Sequence, residues 1–233
     1  MRRVYATTIA LVITALSLAG VSAQMGDPAR KVPGGGIAGA GWKGKIDANE
    51  AKAGSTINDS KFEVKGSEIS ISTGPAGIYW NPADKATGDY TVSATFTEPQ
   101  HMSASGHAHP YGLFIGGNNL ETDNATLLYC AAYGTGNYIV RGFGPAPFAP
   151  GAGRKPVPSD AVKKAEKGQP VTQEISMSLK GSQVTCTING TTVATLTKDE
   201  LVGAGKLENI QGIAGIRVTH NIDVKVTNFK VTK

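Results

Sequence analysis

Residues 88–99, GDYTVSATFTEP, alternate without a slip. Tyr90, Val92, Ala94 and Phe96 fall on one side of an extended chain, and Thr91, Ser93, Thr95 and Thr97 on the other. An amphipathic helix needs an apolar period of 3.6; a period of two with β-branched residues on the wet side specifies a half-buried strand. KFEVKG and EISIST repeat the pattern upstream. YGLFIGG, TLLYCAAY and NYIVRGFG, which follow, alternate less, as expected of strands covered on both faces. TQEISMSLKG and SQVTCTING meet around Lys180-Gly181-Ser182, and Asn189-Gly190 leads into TTVATL. Asn-Gly between alternating runs accepts the positive φ angles of a tight hairpin. GIAGIRVTH and DVKVTNFKVT close the series around Asn221.

Helix is scarce. SDAVKKAEKG predicts about two turns capped by Ser159. TKDELVG carries Thr197 and Glu200 at capping-box spacing and predicts one turn. Residues 144–158, GPAPFAPGAGRKPVP, are too rich in Pro and Gly for either regular structure. A loop that long in a compact domain marks a functional or a disordered segment. Roughly a dozen short strands with so little helix predict an all-β sandwich of two antiparallel sheets. One broad outer sheet face is then left for a ligand.

The first residues read as a signal peptide: Arg2 and Arg3, an apolar run from Ile9 to Ala19, then Val21-Ser22-Ala23 before the cut. The run is short for a membrane span of about 20 residues. No later stretch is apolar enough to cross a bilayer, so no span is expected after cleavage. The expected organisation is a signal peptide over 1–23, a flexible Gly/Pro-rich linker over 24–41 and a β-sandwich domain over 42–233. The expected location is secreted or periplasmic. Export permits a disulfide; Cys130 and Cys186, each inside a strand, are either bridged or two buried thiols.

The formal charge is +5. Two of those charges belong to the leader, and the rest are scattered, so nucleic acid is not an expected partner.

The run from YWNPADKATGDYTVSATFTEP through HPYGLFIGGNNL to GIAGIRVTHNIDVKVTNFKV resembles a family of secreted bacterial proteins with a concanavalin A-like jelly-roll domain. These are relatives of the laminin G-like and 3-keto-disaccharide hydrolase domains, mostly of unknown function. The resemblance covers Trp42 to the C-terminus and implies the jelly-roll fold. Relatives carry GHxEAYGLFIGG where this chain has GHAHPYGLFIGG, so His109 stands in place of a carboxylate.

His107 and His109 are two apart and on an extended chain point the same way. A shared metal would need a third ligand, His101 or His220, and a lone H-x-H does not establish one; no metal and no cofactor are assigned. ETDNAT offers Glu121 and Asp123 but has Thr126 where a jelly-roll glucanase carries its second Glu, so the acid–base pair of a glycosidase is incomplete. No G-x-S-x-G elbow occurs, and no catalytic residue is assigned. The aromatic residues lead further. Tyr79, Trp80, Tyr111, Tyr129, Tyr133 and Tyr138 lie in the middle strands, Tyr129 and Tyr133 share parity, and Arg141 adds a fork of donors. Tyrosine offers a flat apolar face and a polar tip, which suits sugar stacking. The expected ligand site is therefore His109, Tyr111, Tyr129, Tyr133, Tyr138 and Arg141 in one groove. The expected partner is a glycan or cell-envelope polysaccharide. The rival readings are a glycan or keto-sugar hydrolase or lyase, and a structural interaction module without a small ligand.

Overall fold

The computed structural model describes Met1, residues 27–151 and residues 153–233. The leader lies outside the described residues. Fifteen strands follow: β1 (Gly36–Ala38), β2 (Lys43–Ile46), β3 (Lys61–Lys65), β4 (Glu68–Ser72), β5 (Gly77–Ala86), β6 (Tyr90–Glu98), β7 (Tyr111–Asn118), β8 (Thr126–Tyr133), β9 (Asn137–Phe143), β10 (Val157–Pro158), β11 (Val171–Lys180), β12 (Gln183–Ile188), β13 (Thr191–Thr197), β14 (Gly212–Val218) and β15 (Asp223–Thr232). Two short helices, α1 (Ala48–Lys52) and α2 (Lys198–Leu201), cap connections. None of the described helices is long and apolar enough to cross a membrane.

The strands form an eight-stranded sheet in the order β1-β3-β4-β15-β6-β11-β12-β13 and a seven-stranded sheet in the order β10-β9-β8-β7-β14-β5-β2. All pairs are antiparallel except β1 with β3. The chain passes back and forth between the sheets at β1–β2, β2–β3, β4–β5, β5–β6, β6–β7, β10–β11, β13–β14 and β14–β15, the crossing pattern of a jelly-roll sandwich. The all-β jelly-roll expectation holds.

Parity decides the core. On β6, Tyr90, Val92, Ala94 and Phe96 face inward and are buried, as their alternation required. They meet Tyr111, Leu113 and Ile115 of β7 and Leu128 and Cys130 of β8 from the opposite sheet. Two aromatic stacks cross the layers: Phe62 on Tyr79 at 5.0 Å between centroids, and Phe96 on Tyr111 at 5.6 Å. Cys130 on β8 and Cys186 on β12 form a disulfide across the core, with Cα atoms 6.3 Å apart. The bridge settles the alternative the sequence left open.

The Asn189-Gly190 hairpin forms as its dipeptide demands, with φ of 47° and 82°. Helix α2 starts on Thr197 with both halves of the capping box made. Two local expectations fail. Residues 159–168 make turns rather than helix: Val162 is drawn into the core, and the backbone of Lys163 is held at both N–H and C=O by the buried amide of Gln173. The 24–41 linker is, over its described part, docked structure. Arg30 donates to the carbonyls of Thr73 and Ile222 and pairs with Asp223 at 2.6 Å. Gly36–Ala38 add a strand to β3. A Gly-rich composition suggested a free tether; instead the small residues allow close approach, since a Cβ at Gly35 would sit 1.9 Å from the carbonyl oxygen of Asn58.

Candidate functional site

The six residues expected to share a groove divide among three places: the interior, the outer face of one sheet and one end of the sandwich. Tyr111 is fully buried between the sheets, and burial pushes its phenol well above the usual range. Tyr138 pairs with Ala132 and shares its inward parity; its hydroxyl donates to the carbonyl of Val193 at 2.8 Å across the sandwich edge. Tyr129, Tyr133 and Arg141 do share the outer face of the seven-stranded sheet. His109 lies at the end of the sandwich, before β7. The residues therefore do not form one water-facing groove. Parity was legible within β8, but the turn between β8 and β9 sets Tyr138 opposite Ala132 and so faces it inward.

The outer face of the seven-stranded sheet is itself covered. Ile78, Trp80, Phe114, Leu120, Leu127, Tyr129, Ala131 and Ile139 make a second buried apolar cluster there. The β7–β8 loop lies over it, tied down by Lys43 to Glu121 at 2.6 Å and by Lys45 to the carbonyl of Thr122. Arg217 of β14 is buried in this layer, 5.3 Å from the Tyr129 ring centroid and 5.2 Å from that of Phe143. Burial works against its charge, but the fork of Asp47, at 2.5 and 2.6 Å, holds its pKa above the normal range. Burial likewise pushes the Tyr133 phenol up to about 12. This face is a packed layer; Arg141 donates from one terminal nitrogen to the carbonyl of Arg154 at 2.5 Å, and its buried Nε has no partner among the described residues.

The histidines gather at the end of the sandwich where β7 begins and β14 ends. The rings of His109 and His220 meet edge to face at 4.2 Å. His220 bonds Glu50 at 3.2 Å, and His109 Nε2 lies 3.0 Å from the hydroxyl of Ser105, which also contacts Asp27. The hydrogen bond from Ser105 holds the Asp27 carboxyl below its usual range, so it is a carboxylate and cannot donate. Ser105 must then give its proton to Asp27, and its oxygen accepts from the His107 backbone at 3.0 Å and from His109 Nε2–H. Burial, and after it the neighbouring His220, lower the His109 pKa to about 4. The ring is neutral, with its proton on the nitrogen facing serine. In this arrangement the serine hydroxyl is turned toward Asp27 rather than toward the imidazole. The partners of the cluster show what it does: with Asn221, which bonds the N–H of Arg30 and the carbonyl of Pro28, it pins the N-terminal segment to the sandwich. His101, the other third-ligand candidate, is buried on Glu98 at 2.9 Å. Among the described residues no three His, Cys, Asp or Glu side chains are arranged to hold a metal.

The outer face of the eight-stranded sheet is different. Across its middle strands one ammonium and three hydroxyls stand in register: Lys230 opposite Ser93, Ser93 opposite Ser176, Ser176 opposite Thr187. In the next rank Thr227, Thr95 and Glu174 align. A bulge between Thr227 and Lys230, with Asn228 at φ 55°, raises β15 beside these ranks. The result is a groove of about 440 Å³ lined by Ser93, Thr95, Glu174, Ser176, Thr187 and Lys230. Among the described residues the side chains of Ser93, Glu174, Ser176 and Lys230 have no hydrogen-bond or ion-pair partner. The sequence showed part of the signal, since Glu174 interrupts an outward row of Thr172, Ser176 and Ser178 before the strand ends at Lys180. The neighbours that make it a groove come from β6 and β15, which no local pattern reveals.

No family model and no curated protein matches this sequence. Solved structures are similar. A protein of unknown function with a galectin-like fold from Bacillus subtilis is 14% identical over 82% of this chain and 88% of its own, with a TM-score of 0.51. The carbohydrate-binding module CBM66 from Bacillus subtilis is 12% identical over 83% of this chain and 96% of its own, with a TM-score of 0.45. Sheep galectin-11, solved with glycerol, is 12% identical over 64% and 92%, with a TM-score of 0.41. At these identities the likeness is one of architecture, and the first of the three shows a galectin-like jelly-roll sandwich.

Proposed function

We propose that this protein is a secreted or envelope-associated carbohydrate-binding sandwich that holds a glycan in the groove of its eight-stranded sheet. The observation behind the reading is that groove's lining: hydroxyls, one carboxylate and one ammonium, side by side and largely without partners in the protein. A sugar hydroxyl both donates and accepts. It can give to Glu174 while taking from Lys230, Ser93 or Ser176. The volume suits a short stretch of glycan. No aromatic ring lines the groove, so stacking on tyrosine is not part of the mechanism. Binding through exposed hydrogen bonds alone is weak per contact, so the affinity expected of a single groove is low. The relation to laminin G-like and 3-keto-disaccharide hydrolase domains, and export by the leader, belong to the same reading.

Affinity electrophoresis against a panel of soluble polysaccharides tests it. At least one glycan should retard the wild-type protein, and Glu174→Gln with Lys230→Ala should abolish the retardation while Tyr133→Phe does not. Retardation lost in Tyr133→Phe but kept in the groove variants would move the site to the other sheet. No retardation by any glycan would remove the reading. Mass measurement of the exported chain should find Gln24 at its start.

A further inference from the structure

Basic residues that are scattered along the sequence are gathered by the fold. Seven residues separate Arg154-Lys155 from Lys163-Lys164, yet both pairs come to the β9 edge of the seven-stranded sheet. β10 runs antiparallel to β9, with Val157 opposite Tyr138 and Pro158 opposite Asn137. Before it, Arg141 of β9 donates to the carbonyl of Arg154. After it, the N–H of Ser159 donates to the carbonyl of Gly136 at 3.0 Å, and Lys164 bridges to Thr135. The segment thus tracks β9 from Arg141 back to the turn that precedes it. Six residues of extended chain cover about 20 Å, so the strip carries one basic pair at each end. Its backbone is fixed: Val162 is buried in the core, the buried Gln173 amide bonds Lys163 at both N–H and C=O, and Ala165 donates to the carbonyl of Gly134. The Lys164 stem crosses Gly136, where an added Cβ would fall 2.3 Å from its Cε. The four side chains themselves are exposed, and none has an ion-pair partner among the described residues. Residues 154–167 together with Arg141 carry a net charge of +4, against +5 for the whole chain.

A field of one sign on a rigid strip concentrates an anionic partner, and the layout of the strip selects which. A small anion would meet one pair and leave the other at the far end. A bilayer is held at its interface by apolar side chains as well as by charge, and among the described residues of the sandwich no large apolar side chain is exposed. A nucleic acid is read by an element that enters a groove or by exposed rings that stack on bases; this edge presents β10, two residues long. A linear acidic polysaccharide fits. It is extended, it carries its carboxylates or sulfates at intervals, and once one pair holds it the other binds at high effective concentration. The Arg154 guanidinium can take a carboxylate through two parallel bonds. We infer that the β9 edge is a second interaction surface, for an acidic polysaccharide, separate from the groove on the eight-stranded sheet and independent of it.

Fluorescence anisotropy with end-labelled polymers and the full-length protein tests the inference. The probes are polygalacturonate, alginate and dextran sulfate, with neutral dextran, a DNA duplex and phosphatidylglycerol vesicles as contrasts. At least one acidic polysaccharide should bind in about 50 mM NaCl and weaken by about tenfold or more in about 200 mM, as released counterions require. Replacing Arg154, Lys155, Lys163 and Lys164 together by Ser should weaken binding by about tenfold or more, and each pair alone should weaken it part of the way. Replacing Lys52, Lys85, Lys180 and Lys233 by Ser removes the same charge from exposed sites elsewhere and should change binding by less than about twofold. Lys230→Ala in the sheet groove should leave it unchanged, and binding of a neutral glycan reports the groove and not this edge. The inference is overturned if every acidic polysaccharide binds more weakly than about 1 mM, or if neutral dextran binds as well. It is equally overturned if the two fourfold variants lose alike, which would make net charge the cause, or if Lys230→Ala costs as much as the strip variant. Tighter binding of the duplex or the vesicles than of every acidic polysaccharide would give the strip to another partner and overturn it too.

Discussion

Reducing the Cys130–Cys186 bridge is the sharpest probe of this architecture. The cysteines are 56 residues apart in sequence and join the middle of one sheet to the other. In the chain-entropy treatment, a loop of that length restricts the unfolded ensemble by about 4 kcal/mol at 25 °C. For a domain of this size that corresponds to a fall in Tm of roughly 8–16 °C. The assay is guanidinium unfolding followed by circular dichroism, on oxidised protein, on the same protein held reduced, and on Cys130→Ala/Cys186→Ala. The reduced wild type isolates the cross-link, because both sulfurs stay in the core. Native spectra should be retained in all three, with the reduced form less stable by about 4 kcal/mol. The double variant should lose somewhat more, since two buried sulfur atoms go as well. A reduced form within about 1 kcal/mol of the oxidised one would refute the reasoning. The strands would then already be held together in the unfolded ensemble, or not be joined at all.

Other outcomes follow from groups already described. His109 is neutral in the fold with a pKa near 4, against 6.5 when unfolded. Its contribution is therefore complete above pH 6.5 and lost as pH falls toward 4, because the unfolded chain takes a proton that the folded one refuses. The slope should approach roughly 1.4 kcal/mol per pH unit between those values, and His109→Gln should flatten it in pH-dependent urea unfolding. Asp47→Asn leaves the buried Arg217 guanidinium without its counter-charge and should cost about 3–5 kcal/mol, read as a shift in the denaturation midpoint. Replacing Asp47 and Arg217 together by Asn and Met should recover part of that loss. Tyr138→Phe removes one bond to the Val193 carbonyl and should cost about 1 kcal/mol with no change in glycan retardation.

The strands were legible because each announces itself over a few residues. The alternation of 90–97 and the Asn189-Gly190 turn need no partner to be read, and both are as expected. What was not legible depends on register. Tyr129 and Tyr133 face together because they are four apart on one strand, whereas Tyr138 is turned inward by where β9 begins. The groove draws on β6, β11 and β15, which are distant in sequence. The turns at 159–168 have a helical composition but lose it to Gln173, which bonds the Lys163 backbone on both sides. The segment around Arg30 has the composition of a tether, yet a single guanidinium finds two carbonyls and Asp223.

The place of β15 has a consequence for how this chain must be made. Residues 223–232 lie not at an edge but between β4 and β6. Until they dock, the other strands of that sheet have a gap through their middle and two bare edges. The sandwich is thus finished late and in one closing event, which makes folding slow, as in other topologies built on distant pairings. A chain truncated before Asp223 should remain open to proteases and chaperones.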